Sequence, residues 1–265
     1  MTSFIQNTDF FAGNNPETIA SEYGTPVYVY NEKILRDRMA KVAKVITKYP
    51  YTANYSVKAN TNIHILKLAL EEGLNCDAMS VGEITLLMKA GFPVERIFFV
   101  PNNVAPYELA FALKNGVMTS LDSLSQLELF GEVCNQMEIP PEKRKCAVRI
   151  NPGVGAGHHE KVVTGGKKTK FGIAEYSIPQ IFEIAEKYQI TIAGINQHIG
   201  SLFMDPQPYL DAVTNLLRIA HQFKNLEFID FGGGYGIPYH KLDDEKEFPM
   251  EDFKSRLEPI LDEFV

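Results

Sequence analysis

Lys58 stands at the end of a segment that could carry an amine into a protein interior. Residues 55–60 read Tyr-Ser-Val-Lys-Ala-Asn and follow Tyr-Thr-Ala-Asn at 51–54. An aromatic and β-branched run before a polar turn is typical of a buried strand, here with Lys58 at its C-terminal end. Burial favours the neutral amine of a lysine, and a neutral amine can form a Schiff base. The alternative is a lysine whose stem packs while its ammonium reaches water.

Three consecutive glycines, Gly232, Gly233 and Gly234, follow a predicted strand at 226–231. Successive glycines expose backbone N–H groups and let the chain approach a ligand closely, so this turn could bind a phosphate group. A flexible turn that needs positive φ is the alternative. The segment is not a dinucleotide-binding fingerprint, because no βαβ unit with an acidic residue follows it. It is not a P-loop either, because no Gly-Lys-Ser/Thr sequence ends it.

His198 ends the predicted strand before this turn, and Ile-Gly-Ser follows at 199–201. Its imidazole could be a general acid, a metal ligand or a flat surface for stacking, although an isolated histidine is more often a satisfied core residue. Ser201 adds a hydroxyl suited to phosphate. His158 and His159 are adjacent in a glycine-rich loop. Because no Cys or carboxylate cluster has zinc spacing, no metal site is predicted.

Short apolar strands alternate with amphipathic helices, which predicts a parallel sheet with helical crossovers. A closed (β/α)8 barrel needs eight such units over about 250 residues, and we count seven. In barrels of this kind the chemistry gathers at the C-terminal ends of the strands. Lys58, Asp77, Arg149, His198 and the glycine turn would all lie there. The predicted strands cover 51–58, 74–79, 96–100, 117–121, 145–150, 190–198 and 226–231. The predicted helices cover 34–49, 63–72, 81–90, 106–114, 123–137, 178–188, 209–223 and 250–264.

The composition resembles that of ordinary soluble proteins, with 45% apolar and 22% charged residues in a chain of 265. A formal net charge of −7 disfavours nucleic acid or an anionic membrane as partner. No segment approaches the apolar length that spans a bilayer, and the first residues lack the features of a secretory signal. Three widely spaced cysteines favour reduced thiols and a cytoplasmic location.

The order of these motifs resembles that of the pyridoxal-phosphate-dependent decarboxylases with an alanine-racemase-like barrel, the group IV decarboxylases. The Gly-Ala-Gly-His-His sequence at 155–159 and the Asp-Pro pair at 205–206 favour the diaminopimelate branch over the ornithine and arginine branch. The resemblance covers nearly the whole chain. The stretches that carry it are 55–60, 76–83, 121–123, 149–153, 155–159, 164–166, 170–173, 197–201 and 232–234.

The resemblance implies a role for each candidate residue. Lys58 would hold pyridoxal 5′-phosphate as a Schiff base, and His198 would stack on its ring. Asp77 and Glu83 would lie near the lysine and the coenzyme, which completes the set of predicted catalytic residues. Arg149 would help to order the same face. The predicted cofactor-binding residues are Lys58, His198, Arg149, Ser201, Gly232, Gly233 and Gly234.

The implied reaction is that of a carboxy-lyase: meso-2,6-diaminopimelate would be decarboxylated to L-lysine and carbon dioxide, the last step of lysine biosynthesis. The partner would therefore be a small amino-acid substrate. An ornithine-, arginine- or carboxynorspermidine-type decarboxylase is one alternative. A barrel that binds pyridoxal phosphate without catalysis is another.

The family pattern also contains parts that these residues do not include. Its eighth barrel strand carries a Glu-Pro-Gly-Arg motif, and a C-terminal β-domain follows that completes the neighbouring subunit's site in a homodimer. We therefore expect residues 31–265 to form a (β/α)8 TIM-type barrel without its eighth strand. Residues 1–30 would be a segment that joins the β-domain in a longer enzyme.

Overall fold

A parallel sheet forms the centre of the protein. The computed structural model describes residues 9–151, 153, 170–239 and 246–265. The main strands follow one another in the order β1-β2-β3-β4-β5-β7-β8, and the short β6 pairs with the end of β5. Their bounds are β1 Asn54–Ser56, β2 Asn75–Ala78, β3 Ile97–Phe99, β4 Met118–Leu121, β5 Lys145–Asn151, β6 Ile173–Ala174, β7 Thr191–Asn196 and β8 Phe228–Asp230.

Helices lie between most successive strands, as crossovers between parallel strands require. All the pairings are parallel, which confirms the predicted α/β, TIM-type architecture. Within the described residues no strand joins β8 back to β1, so these two strands are the ends of the sheet. The helices are α1 Pro16–Tyr23, α2 Glu32–Ala43, α3 Ile63–Glu71, α4 Val81–Ala90, α5 Pro106–Asn115, α6 Leu124–Gln136, α7 Ile178–Tyr188, α8 Gln207–Ala220 and α9 Met250–Phe264.

Alternate residues of each strand face either the helices or the barrel interior. Ser120 of β4 donates a hydrogen bond of 2.6 Å to Asn196 of β7, although β5 lies between these strands. Phe98 of β3 likewise packs edge-on against Phe228 of β8, with 5.4 Å between the ring centres. These contacts cross the interior and so identify the inward side of each strand.

The strand registers show that charged residues also face inward, because paired residues of neighbouring strands point to the same side of the sheet. Asp77 is paired with Phe98, Arg149 with Asn196, and Asn196 with Asp230. These charged side chains therefore point into the barrel at the C-terminal ends of their strands. The outward positions of β5, by contrast, join the largest apolar cluster with residues of α6, α7 and α8.

The largest differences between the structure and the sequence-based prediction concern three elements. The predicted helix at 34–49 ends at Ala43, because Val45 and Ile46 leave the helix and are buried in an apolar cluster with residues of α8 and α9. The prediction missed α1, a helix of eight residues with no buried residue. It also missed β6, which is only two residues long. No helix in the described part of the chain is long and apolar enough to cross a membrane.

Candidate functional site

Lys58 lies in a single 3-10 turn, Val57–Ala59, directly after β1. Val57 is fully buried, whereas Lys58 is exposed and the strand before it is only half-buried. The prediction of a buried lysine at the end of a buried strand is therefore wrong in this respect. Asn60 holds the turn through hydrogen bonds with the hydroxyls of Tyr30 and Tyr55. The result is an amine that a carbonyl compound can reach, on a fixed piece of backbone.

Asp77 is a carboxylate that lies close to Lys58. Its Oδ2 accepts a hydrogen bond of 2.7 Å from the Ser56 hydroxyl. Burial raises the pKa of Asp77, while the Ser56 hydrogen bond and the Lys58 ammonium oppose that rise and Glu83 adds to it. Lys58 and Asp77 are thus close enough to influence each other electrostatically.

Glu83 occupies the first turn of α4, and its contacts are those of a helix cap. Its Oε2 accepts a hydrogen bond of 2.6 Å from the Met79 backbone N–H, and the Ser80 hydroxyl accepts from the Glu83 N–H at 3.2 Å. Reciprocal bonds of this kind satisfy N–H groups at a helix start. Glu83 therefore fixes where α4 begins beside Asp77. Its predicted catalytic role stays a prediction.

His198 lies two residues beyond the end of β7 and is half-buried. Burial lowers its pKa to about 4, and the charges of Arg149 and Lys58 act in the same direction. The imidazole is therefore neutral near pH 7 and is a poor proton donor there. Among the three roles that the sequence left open, this environment favours a flat, uncharged surface for stacking.

The depressed pKa of His198 predicts a dependence of stability on pH. The unfolded histidine binds a proton near pH 6.5, whereas the folded one does so only near pH 4. The folded state therefore loses stability as the pH falls from about 6.5 to 4, by at most about 3 kcal/mol. We expect the free energy of unfolding of a His198→Asn variant to fall less than that of the parent over this interval. Urea unfolding at several pH values measures the difference, and a constant difference would contradict the assignment.

The glycine turn after β8 is held tightly against the loop after β7. Gly232 and Gly234 have φ of +73° and +112°, a region that favours glycine. A Cβ at Gly232 would lie 2.4 Å from the Gln197 carbonyl oxygen, and one at Gly234 only 2.0 Å from that of Gly200. Close backbone packing thus requires these two glycines, and the turn is not simply flexible.

Gly233 differs from its neighbours because a Cβ there would have no atom within 4 Å. The turn therefore presents one open side to a ligand. Ser201 lies in the adjoining loop, which bonds to the turn through the Phe203 N–H and the Gly234 carbonyl at 3.2 Å. Ser201 itself is half-buried. Phosphate binding by these residues stays a prediction.

Asp230 is a site residue that the sequence reasoning missed. Its Oδ1 accepts a hydrogen bond of 2.8 Å from the Gly232 N–H and so fixes the start of the turn. Burial raises the pKa of Asp230 to about 6, with the Gly232 N–H and Arg149 opposing the rise and Asp77 adding to it. The alternation of Phe228 and Asp230 along the strand was the available signal.

Arg149 is buried inside the barrel and carries the positive charge among these carboxylates. Its Nη1 lies 3.5 Å from Asp122 Oδ1 and 3.4 Å from Asn102 Oδ1. Burial lowers the pKa of Arg149, and Asp122 and Asp230 counteract that effect. Arg149 thus orders the inward-facing charges at this end of the barrel.

Two predicted features fall on residues that the structure does not describe. The Gly-Ala-Gly-His-His sequence at 155–159, with His158 and His159, and the glycines at 165–166 lie outside the described residues. Within the described ranges, no group of three or more His, Cys, Asp or Glu side chains is arranged to hold a metal ion.

Comparison with known protein families shows which family this barrel belongs to. Residues 32–265 match the family described as the pyridoxal binding domain of pyridoxal-dependent decarboxylases. The chain belongs to this family. Membership confirms the predicted barrel family and its pyridoxal cofactor.

Several relatives of this pyridoxal-binding domain are named diaminopimelate decarboxylase. The chain is 40% identical over 252 residues to a diaminopimelate decarboxylase of Methanothermobacter thermautotrophicus, covering 92% of this chain and 57% of that protein. It is 32% identical over 259 residues to one from Aquifex aeolicus, covering 96% and 60%. The chain therefore spans about three fifths of the length of these curated relatives.

The solved structures that resemble this pyridoxal-binding domain also include decarboxylases. A diaminopimelate decarboxylase from Helicobacter pylori complexed with L-lysine has a TM-score of 0.86 at 27% identity, covering 94% of this chain and 63% of that one. A lysine/ornithine decarboxylase from Vibrio vulnificus has a TM-score of 0.76 at 21% identity, which shows the shared fold alone.

The residues of this site fit pyridoxal phosphate. The exposed Lys58 amine suits its aldehyde, and the uncharged His198 ring suits its flat pyridine. The open space beside Gly233 leaves room for its phosphate.

Proposed function

We propose that this chain is the pyridoxal-phosphate-binding barrel of an enzyme that decarboxylates meso-diaminopimelate to L-lysine and carbon dioxide. One observation supports the proposal above others: Lys58, His198 and the glycine turn lie at the same end of a barrel whose relatives at 30–40% identity are named diaminopimelate decarboxylases. Two of the similar structures, from Helicobacter pylori and M. jannaschii, are diaminopimelate decarboxylases in complex with L-lysine.

Several residues of the site would have a task in this reaction. The Lys58 amine would bind the aldehyde carbon of the cofactor, and the Asp77 carboxylate would balance the charge of the amine. His198 would lie flat on the ring and exclude water from that side. Ser201 and the turn at Gly233 would hold the phosphate by hydrogen bonds. When bound, pyridoxal phosphate supplies an electron sink for the negative charge left on the substrate carbon as carbon dioxide departs.

Other parts of the proposal concern the protein that contains this chain. We assign residues 1–30 to a segment that joins a β-domain and residues 31–265 to the barrel. Val27, Tyr28 and Tyr30 support this division, because their side chains are exposed although they are apolar or aromatic. We also propose a homodimer and a cytoplasmic location; the latter is supported by three free, buried cysteines.

A substrate panel tests the proposed reaction. The protein that contains this chain, loaded with pyridoxal phosphate, is given meso-diaminopimelate, L-ornithine, L-arginine or carboxynorspermidine, and carbon dioxide release is measured. We expect kcat/KM for meso-diaminopimelate to exceed the others by at least about 100-fold, since a site that bonds the distal carboxylate of diaminopimelate rejects analogues that lack this carboxylate. A higher kcat/KM for one of the other three compounds would contradict the proposed substrate. Cofactor binding without turnover of any of them would favour a non-catalytic barrel.

A further inference from the structure

Asp122 is a largely buried carboxylate at the C-terminal end of β4. It directly follows Leu121, the last residue of the strand, and its side chain is only 12% exposed. One atom, Oδ1, makes two contacts. It lies 3.5 Å from Arg149 Nη1, and it accepts a hydrogen bond of 3.0 Å from the Gly172 backbone N–H. A single oxygen thus joins β4 to two other parts of the barrel rim.

Arg149 is held between this carboxylate and an aromatic ring. The centre of its guanidinium group lies 4.9 Å from the centre of the Phe171 ring. A buried guanidinium over an aromatic face is attracted to the ring's negative surface. The Arg149 side chain is 8% exposed, so little water screens these contacts. Phe171 is the neighbour of Gly172, and both contacts therefore hold the same piece of chain.

The segment Phe171–Ala174 is docked on the end of β5. Gly172 has a φ of +78°, and a Cβ there would lie 2.8 Å from the Asn151 backbone nitrogen. Immediately afterwards, β6 pairs with Ile150 and Asn151. The segment therefore follows β5 closely at the end of the barrel where the site residues lie.

We infer that Asp122 is a positioning residue for this site. It fixes the Arg149 guanidinium against Phe171 and thereby holds the segment Phe171–Ala174 as a wall of the site. It also keeps the Arg149 charge at a set position relative to His198 and Asp230, both of which that charge influences. The docking of the segment stands without the proposed function. Its consequence for cofactor binding rests on the proposed function.

A fluorescence experiment tests the docking directly. The chain has no tryptophan, so a Phe171→Trp variant carries one reporter that stacks on Arg149. We expect adding Asp122→Asn to shift the emission to longer wavelength and to raise quenching by acrylamide roughly twofold, because a charge-assisted contact is lost. Asp37→Asn, which changes an exposed acid of α2, is the matched control and should leave both unchanged. Unchanged emission with Asp122→Asn would overturn the inference.

A double-mutant cycle separates positioning from a general loss of stability. Asp122→Asn leaves the buried Arg149 charge without the nearby carboxylate, and this alone destabilises the single variant. In an Arg149→Met background this penalty is absent. With both variants in the Phe171→Trp chain, we expect Asp122→Asn to add little to the quenching already caused by Arg149→Met. If the two effects multiply instead, Asp122 acts independently of Arg149 and the inference is wrong.

The affinity for pyridoxal phosphate gives a second readout. We expect Asp122→Asn to weaken cofactor binding roughly tenfold in the parent background and hardly at all in the Arg149→Met background. A parent protein that binds no pyridoxal phosphate would contradict the proposed function. The fluorescence result would still decide the role of Asp122. If Asp122→Asn weakens pyridoxal phosphate binding equally in both backgrounds, Asp122 does not position the site through Arg149.

Discussion

Replacing Lys58 by alanine is expected to lower decarboxylation of meso-diaminopimelate by at least about 1,000-fold, because the covalent attachment of the cofactor is lost. The folded structure should survive. Lys58 is exposed, and its neighbour Val57 supplies the core contact of the turn. Lysine formation by the protein that contains this chain measures the first effect, and thermal unfolding measures the second.

Lys67 provides the matched control for this substitution. It is an exposed lysine of α3, the helix that follows the Lys58 turn. Lys67→Ala should leave turnover within about twofold of the parent, since surface substitutions away from a site have small effects. A Lys58→Ala protein that keeps comparable turnover would show that another group attaches the cofactor.

Replacing Gly234 by alanine should have the second large effect, and it should act on both folding and binding. The added Cβ would lie 2.0 Å from the Gly200 carbonyl oxygen, in a residue whose φ is +112°. Backbone cannot give way as a flexible side chain can. We expect a loss of about 2–4 kcal/mol in the free energy of unfolding, from strain and overpacking together. Urea unfolding measures the loss, and a titration with pyridoxal phosphate should show much weaker binding.

Gly233→Ala separates the need for close packing from the need for an open ligand site. No atom lies within 4 Å of the Cβ that this change would add. We expect the free energy of unfolding to change by less than about 1 kcal/mol, while the affinity for pyridoxal phosphate falls because the methyl group enters the open side of the turn. Equal destabilisation by both substitutions would contradict the described packing of the turn.

Much of the fold follows from hydrophobic periodicity. The helices Ile178–Tyr188 and Met250–Phe264 begin and end where the sequence predicts, because their apolar stripes are regular. The predicted end of α2 was wrong. Val45 and Ile46 continue the apolar spacing of the helix in the sequence, but they lie beyond its end and are buried against α8 and α9. That contact joins residues far apart in the chain, and local periodicity carries no information about it.

The site was predictable where its chemistry depends on local sequence. Lys58 after its strand and the glycines after theirs are local signals. The exposure of Lys58 could not be predicted from the sequence. It depends on the turn Val57–Ala59, which directs neighbouring residues to opposite sides. The roles of Asp122 and Asp230 were missed for a similar reason. Asp122 contacts Arg149 of β5, and Asp230 is paired with Asn196 of β7, so only the registers of the barrel bring these residues together.

The central claim is that Lys58 is the residue that binds pyridoxal phosphate covalently. The most direct test is to mix the protein with pyridoxal phosphate, reduce it with borohydride and map the labelled peptide by mass spectrometry. One label is predicted, on Lys58 in the peptide that contains Val57 and Ala59, and it should disappear in Lys58→Ala. A label on a different lysine, or cofactor bound with Lys58 unmodified, would contradict the claim.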